Sequence, residues 1–580
     1  SDGFGEWKVE GAAFGKSPTS SSPTGMNGIV KNYANIYYVS SAHQGDAPTG
    51  SLTSPEFKIQ LPNIAFLVSG GKHPGKTAVQ LFVDGKITHE ATGQNDLTMR
   101  PTIWDVSGLK GKTAQLRIID TERGAWGVIN ADHILFTDLA KPKFPRTSGG
   151  GNADIDGLIS SDAIPGLSVP DGTEVKIFAD NTSSDVHSPT ALSVDEQGRV
   201  FVAETHRFGT SVEDNRRHLY WLMDDIAAQT TDDRIAMHKK WDHKKPVADL
   251  TKFSEKVRVL VDTDGDGVAD ESKVFAEGFN EILDGTAAGI MAFEGTIYFA
   301  CIPKIWTLTD KDGDLISDER EVIQDGMGVR VSFSGHDLNG FALGPDGRIY
   351  ATIGDRGFNF TTREGREYRY PNQGAIFRFD PDGSNFEVVH FGLRNPKEIA
   401  FDQYGTAITV DNNSDQGDRA RVVFMMDGAD SGWRMGHQVL HSFHKTAGVP
   451  DHPINQWMQE KMWEPHFPDQ PAHIVPPIAN LTSGPSGLAY YPGTGYQLKS
   501  RDQFLICDYR GGAASSGIWH FGIRRKGAGF ALDQFGKFSW GTAVTDVEWG
   551  YDGKLYVSDF ISGWESHKAG RIYTCLLYTS

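Results

Sequence analysis

The chain has 580 residues, and 56 Lys+Arg against 75 Asp+Glu leave a formal charge of −19. That balance excludes a protein living on nucleic-acid phosphates or an anionic membrane surface, where a basic patch supplies most of the affinity, and no run reaches the roughly 18 to 20 apolar residues of a spanning helix. Charged residues at 23% and aromatics at 11% exclude general disorder, and 66 Gly with 27 Pro point to turn-rich β-structure.

Residues 1–140 read as a β-sandwich. Alternating runs such as Ala78-Val79-Gln80-Leu81-Phe82-Val83 and Ala114-Gln115-Leu116-Arg117-Ile118-Ile119 are separated by Gly and Asp-Gly turns. A linker is expected over 141–168, rich in Pro, Ser and Gly around Gly149-Gly150-Gly151. From there one pattern recurs: an apolar strand, a turn carrying Asp or Gly, and a second apolar strand. It starts at Ala191, Gly289, Phe341, Ile399, Leu488 and Val547. Six such hairpins predict an all-β chain whose residues 169–574 form a six-bladed β-propeller, each blade burying its faces against its neighbours. Two insertions interrupt the rhythm, a helical one over 211–258 and a His-, Trp- and Pro-rich one over 436–478. Three cysteines (Cys301, Cys507, Cys575) make no disulfide framework. The last six residues, 575–580, match one translated frame of a common sequencing adapter and are expected to be a non-native tail.

Several clusters carry chemistry. Asp262, Asp264, Asp266 and Asp270 recur in spacing as Asp310, Asp312, Asp314 and Asp318, with Glu321 at the twelfth place of the second loop and Lys273 at that of the first. Carboxylates at positions 1, 3, 5 and 9 of a Gly-containing loop converge on a hard cation such as calcium; the alternative is a pair of solvated acidic turns. Gly335-His336-Asp337-Leu338-Asn339-Gly340 precedes the third hairpin, which ends in Gly354-Asp355-Arg356. A His opening an inner strand lies at the channel mouth, where a base near neutral pKa is useful, although a lone His is more often simply hydrogen-bonded. Arg394-Asn395-Pro396 stays extended before its proline and offers a fixed fork of donors to a planar anion, or braces two blades. Glu204, His206 and Arg207 end the first hairpin and are candidates for the same channel. His437, His441 and His444 share a helical spacing, read as a His-rich surface lid or a transition-metal site.

His336 through Asp355, Gly392-Leu393-Arg394-Asn395-Pro396, Asp411-Asn412 and Arg571-Ile572-Tyr573 together resemble the soluble glucose and aldose sugar dehydrogenases, six-bladed propellers that carry pyrroloquinoline quinone and calcium. Residues 171–574 resemble more closely a group of dehydrogenase propellers often joined to a c-type cytochrome domain. The resemblance implies a periplasmic or extracellular oxidoreductase that oxidises a sugar or oligosaccharide and passes electrons to a cytochrome. It implies that His336 is the general base, oriented by Asp355. Arg394, with Asn395, stabilises charge on the reduced cofactor. Asn412, the backbone near Asn413 and Ser414, and Arg510 complete the cofactor and calcium contacts. The chain departs from that pattern at Asn413-Ser414 (usually Gly-Pro), at Asp337 (usually an amide) and at Arg510 (usually Lys). Two rivals stay open: a non-redox carbohydrate-binding or scaffolding propeller with structural calcium, and a cofactor-free glycan lyase or hydrolase using His336 and Glu204. In the first 140 residues, Gly50 to Pro55, Trp104-Asp105-Val106 and Gly124-Ala125-Trp126-Gly127 resemble a galactose-binding-type jelly roll, which implies tryptophans exposed for sugar stacking or, alternatively, a packing module.

Overall fold

The computed structural model describes residues 4–19, 30, 33, 38–43, 45, 47–140, 142, 158–415, 418–438, 474–491, 493, 502–561, 563 and 567–577. The chain divides into two compact units, Ser1–Gly157 and Leu158–Ser580.

The first unit is a two-sheet sandwich. One sheet runs Lys8–Gly11, Gly50–Thr53, Thr113–Asp120, Thr77–Val83, Lys86–Ala91; the other runs Val39–Ser40, Ile129–Thr137, Asn63–Gly70, Asp96–Asp105. In Thr113–Asp120 every second residue is buried, as strand pleating requires when one face meets a core. The core between the sheets holds Leu52, Phe66, Leu81, Trp104, Leu116 and Ile129. Thr77–Val83 turns into Lys86–Ala91 through Asp84-Gly85, whose φ of 53° and 73° is the two-residue turn that Asp-Gly favours. Trp104 is packed edge-on against Phe66 with ring centroids 4.7 Å apart, and Trp126 lies partly buried against a second apolar cluster. For Trp104 the expectation of a tryptophan exposed for stacking is corrected, since alternation puts it on the inward face.

The second unit is a propeller of six sheets, antiparallel but for the parallel pairing of Glu387–Leu393 with Ala429–Asp430 in the third. Their first two strands are Pro189–Val194 with Val200–Glu204, Gly289–Phe293 with Thr296–Cys301, Leu338–Leu343 with Ile349–Ile353, Pro396–Phe401 with Ala407–Asp411, Pro485–Tyr490 with Gln503–Asp508, and Val544–Trp549 with Leu555–Asp559. These are the six sequence hairpins. Each first strand packs against the first strand of the next sheet, and the sixth packs against the first, so the six inner strands form a closed ring. The ring is sealed in the sixth sheet, where Thr173–Asp180 pairs outside Arg571–Leu577.

Neighbouring blades share no backbone ladder, so buried amides facing the gap need side-chain acceptors. Asp546 accepts Leu192 N at 2.8 Å, Glu548 accepts Val194 N at 3.1 Å, and Glu398 accepts Leu488 N at 2.5 Å. Glycines make room for two of these carboxylates: a Cβ on Gly340 would strike Glu398, and one on Gly487 would strike Asp546.

Three boundaries differ from expectation. Leu158–Ser160 and Ser168–Pro170 join the outer edge of the fifth sheet, so the linker ends before 158 rather than at 168. The helical insertion occupies less than 211–258. Its helices are α1 (Leu222–Ala227), α2 (Thr231–Lys240) and α3 (Val247–Leu250), and the third strand of blade one begins at Glu255. Thr230 and Asp233 close a reciprocal capping box at the start of α2. Cys575 pairs with Val175 and Leu555 in the closing sheet, while 578–580 lie outside the described residues. So do His441 and His444.

Candidate functional site

A cavity of about 810 Å³ lies on the propeller axis, since all six blades contribute to its wall: Ala191, Ala288, Gly340, Glu398, Gly487 and Asp546. Phe208, Phe333, Tyr509 and Phe560 add aromatic surface.

His336 lines this cavity from the turn ahead of the third inner strand, and Asp355 follows the second strand of the same hairpin. Gly354 allows the approach, because a Cβ there would press on the His336 backbone. His336 Nδ1 lies 2.7 Å from Asp355 Oδ1, which also accepts Ser332 Oγ at 2.6 Å; Asp355 Oδ2 accepts Trp433 Nε1 at 2.8 Å. The carboxylate fixes the Nδ1–H tautomer, so Nε2 is the nitrogen left for chemistry. Burial pushes the imidazole pKa down, and nearby Arg394 and Lys397 add to that against the pull of Asp355. Burial pushes the Asp355 carboxyl up, but His336, Arg394 and Ser332 outweigh it and hold it below its ordinary value. At neutral pH the pair is a neutral imidazole beside a carboxylate.

Arg394 follows the strand Glu387–Leu393 of blade three. Its amide and that of Asn395 both donate to the Asp411 carboxylate, at 3.0 and 2.6 Å. The guanidinium donates from Nε to Gln438 at 2.7 Å and from Nη2 to Asp415 at 2.9 Å, while Nη1 is buried with no hydrogen-bond partner. The Trp433 ring, which holds Asp355, also lies 5.9 Å from the Arg394 guanidinium carbon.

Lys397 is a cavity residue that sequence reasoning missed. Its Nζ donates to Gly335 O at 2.6 Å and to Asn339 Oδ1 at 3.1 Å. Burial, with Arg394 and Arg356 adding to it, brings the amine down to about 8. Asn339 also donates to Asn395 Oδ1 at 3.1 Å, tying the His336 turn to the Arg394 turn. Glu398 and Asp546 were missed as well. Burial raises Glu398 well above the ordinary carboxyl range, with the Asp546 charge adding to it, and burial raises Asp546 to about 6.

Asn395, Asn412, Asn413 and Arg510 line the same cavity; Ser414 does not, its amide and hydroxyl both donating to Asp418. Arg510 is ion-paired with Asp508 at 2.6 Å. Glu204, His206 and Arg207 are not among the lining residues, which corrects that expectation. Glu204 Oε1 accepts Arg258 Nε at 2.9 Å, and Arg207 donates to the carbonyls of Phe253, Glu281 and Asp284, bracing the chain around the helical insertion. The fully buried guanidinium serves backbone acceptors that would otherwise be unpaired.

The acidic loops lie apart from the cavity wall. Asp262, Asp264 and Asp270 bring carboxylate oxygens within 4.8 Å of one another, as do Asp310, Asp312 and Asp314; Asp266 and Asp318 stand outside those groups. Asp262 accepts the amides of Gly265 and Gly267 at 2.8 Å, and Asp310 those of Gly313 and Leu315 at 2.8 Å, so both loops fold around their first carboxylate. Lys273, at the twelfth place of the first loop, reaches Asp314 O of the second at 2.8 Å.

The profile of the family described as "Domain of unknown function (DUF7133)" matches residues 160–563. A curated relative from Aspergillus rugulosus, named "Putative glycosyl hydrolase ecdE", is 38% identical over 132 residues, which is 23% of this chain and 19% of the relative. The chain thus spans about a fifth of the length of that relative. Among solved structures, the PQQ-bound aldose sugar dehydrogenase of Streptomyces coelicolor is 16% identical, with 70% of this chain and 99% of that one covered at a TM-score of 0.40. The holo pyranose dehydrogenase PQQ domain of Coprinopsis cinerea is 13% identical, with 72% and 98% covered at 0.42. The calcium structure of the Trichoderma reesei family AA12 enzyme is 11% identical, with 72% and 99% covered at 0.41. All three are distant likenesses.

Proposed function

The chain belongs to the DUF7133 family, and from that premise we propose that its propeller is a quinoprotein-type oxidoreductase acting on a sugar or oligosaccharide at His336. The observation that carries this reading is the neutral His336, buried on the cavity wall with Nδ1 held by an ionised Asp355.

The donor set fits pyrroloquinoline quinone, a planar polycarboxylate. Arg394 offers an unpartnered buried Nη1, Lys397 and Arg510 add cationic donors to the same cavity, and Phe208, Phe333 and Phe560 supply apolar surface for a flat ring. Arg394, Asn395, Lys397, Asn412, Asn413 and Arg510 would hold the group. When bound, the quinone supplies the acceptor for a hydride from the sugar carbon. His336 Nε2 takes the proton of the hydroxyl on that carbon, so the C–H and O–H bonds are lost together and a carbonyl forms. Asp355 keeps Nδ1–H in place and stabilises the imidazolium, as buried carboxylates do for catalytic histidines. Arg394, fixed by Gln438 and Asp415, meets developing negative charge with a guanidinium already oriented, which is the cheapest form of electrostatic stabilisation.

Calcium in the Asp262 and Asp310 loops and at the Asn413 turn, a c-type cytochrome as electron acceptor, and a periplasmic or extracellular setting complete the proposal. Glu204 does not pair with His336 as a lyase or hydrolase acid, because Arg258 holds it away from the cavity lining. The test is calorimetric titration of the full chain with pyrroloquinoline quinone in calcium, followed by dye reduction over a panel of aldoses and oligosaccharides. Saturable binding with sugar-dependent dye reduction is the expected result. Sugar binding with no quinone binding would replace this reading with the glycan-binding propeller.

A further inference from the structure

Blades four and five enclose a second pocket, of about 200 Å³. Lys397 and Ser486 stand at the start of the inner strands of those blades and line the axial cavity, whereas Asp402 and Tyr490, at the other ends of the same strands, line this pocket. Five residues of strand put about 16 Å between the two sites, so the pocket lies toward the opposite end of the propeller.

Its surface is aromatic. Phe504 is fully buried and packs against Tyr490 with ring centroids 5.0 Å apart, and Phe530 is braced edge-on by Phe424 at 4.9 Å. Tyr404, on the turn after Pro396–Phe401, adds a ring to the wall while remaining 75% exposed. A single exposed aromatic needs no explanation, but one on the wall of a packed aromatic pocket offers a face on which a ligand ring can lie.

Polar groups meet at the same place. Asp402 Oδ1 accepts the amides of Tyr404 and Thr406 at 2.9 and 2.7 Å, and Asp502 Oδ1 accepts Tyr490 Oη at 3.1 Å and Gln403 Nε2 at 2.5 Å. Among the described residues these bonds all fall on Oδ1, which leaves Oδ2 of each carboxylate to accept from a ligand. Asp502 holds its place with a left-handed φ of 61°, uncommon outside glycine. Arg525 brings a guanidinium, a donor only, to the same wall. Two carboxylates repel an anion, and the guanidinium beside them repels a cation. The ligand that matches is neutral, has an apolar face for the rings, and carries groups that both donate to carboxylate and accept from guanidinium. A sugar ring has all three properties, because each hydroxyl is donor and acceptor. The volume sets the size: it is below the roughly 300 Å³ at which drug-sized sites begin, and suits one ring.

We propose that this pocket binds one neutral hexose or pentose ring, stacked on Tyr404 and hydrogen-bonded to Asp402, Asp502 and Arg525. A sugar held there is remote from His336, so the site anchors the protein to a glycan instead of feeding the axial cavity, and it does not depend on the quinone chemistry proposed there.

The deciding experiment is a crystal of the full chain soaked in the methyl glycosides of glucose, galactose, mannose and xylose, whose blocked anomeric hydroxyl bars oxidation at that carbon. Density for at least one of them against Tyr404 is expected, and a pocket that takes up none of them overturns the proposal. Titration by saturation-transfer NMR gives a second readout in solution. Tyr404→Ala should weaken binding of that glycoside about 2- to 10-fold with Tm unchanged, since the ring is exposed, and His336→Ala should leave the affinity as it is. An affinity that survives Tyr404→Ala intact, or is lost in His336→Ala, puts the sugar in the axial cavity and overturns the proposal.

Discussion

The most informative perturbation is Asp355→Asn. The carboxylate accepts three hydrogen bonds, from Ser332 at 2.6 Å, His336 at 2.7 Å and Trp433 at 2.8 Å. An amide of the same shape has one acceptor oxygen and turns its NH2 toward donors, so at least one buried donor is left unpaired. The expected stability loss is about 1–3 kcal/mol. The larger effect is on the base: without the carboxylate, the ring no longer has a partner that favours Nδ1–H, and Nε2 becomes the protonated nitrogen in part of the population. Loss of a positioned general base lowers kcat by roughly 10²–10⁴. Because Asp355 opposes the burial that depresses His336, its removal also shifts the acid limb of the kcat/KM profile to lower pH. The assay is dye reduction across pH with the quinone-loaded chain, alongside calorimetry showing that quinone binding persists. A folded Asp355→Asn protein with kcat within tenfold of wild type would refute the base assignment.

Three other expectations follow from the same chemistry. Glu398 is held protonated by burial, and a group with a raised folded pKa stabilises the fold at low pH and loses that contribution as pH rises; Glu398→Gln should therefore match wild type in urea unfolding at pH 5 and exceed it at pH 9, and a constant difference would contradict this. His390 is lowered by burial from 6.5 to about 4. The unfolded chain therefore takes up a proton first as pH falls, and stability drops by about 3 kcal/mol between those values; His390→Phe should flatten that slope in urea titrations at pH 7, 5.5 and 4.5. Calcium should raise the wild-type Tm, each loop contributing about 2.7 kcal/mol at a hundredfold excess over its Kd, and Asp264→Asn with Asp312→Asn should remove the share of the rise that the two loops supply. Identical Tm values in chelator and in calcium would leave both loops as acidic turns.

The propeller was legible because each hairpin repeats a period-two pattern around an Asp or Gly turn, and the blade boundaries coincide with those copies. His336 and Asp355 were legible as one hairpin, since strand pairing returns residues at its two ends to the same place. Lys397 and Glu398 were not. They stand side by side at the start of Pro396–Phe401, ahead of Ile399-Ala400-Phe401, as a charged strand end facing solvent would, and only closure of the ring brings both to the axial cavity. Glu204 and Arg207 misled for the opposite reason: charge at the end of a hairpin looks functional. Here the irregular chain that follows has orphan carbonyls, and a long buried Arg is what reaches them.

The seam between Thr173–Asp180 and Arg571–Leu577 has a mechanical consequence. The strands are antiparallel, and Thr173 sits opposite Leu577 while Asp180 sits opposite Arg571. A load applied at Thr173 and Leu577 therefore pulls from one end of the ladder and peels its hydrogen bonds one at a time instead of shearing them together. Stretched between those two residues, the ring parts first at that seam and at low force, and the blades behind it come loose in turn.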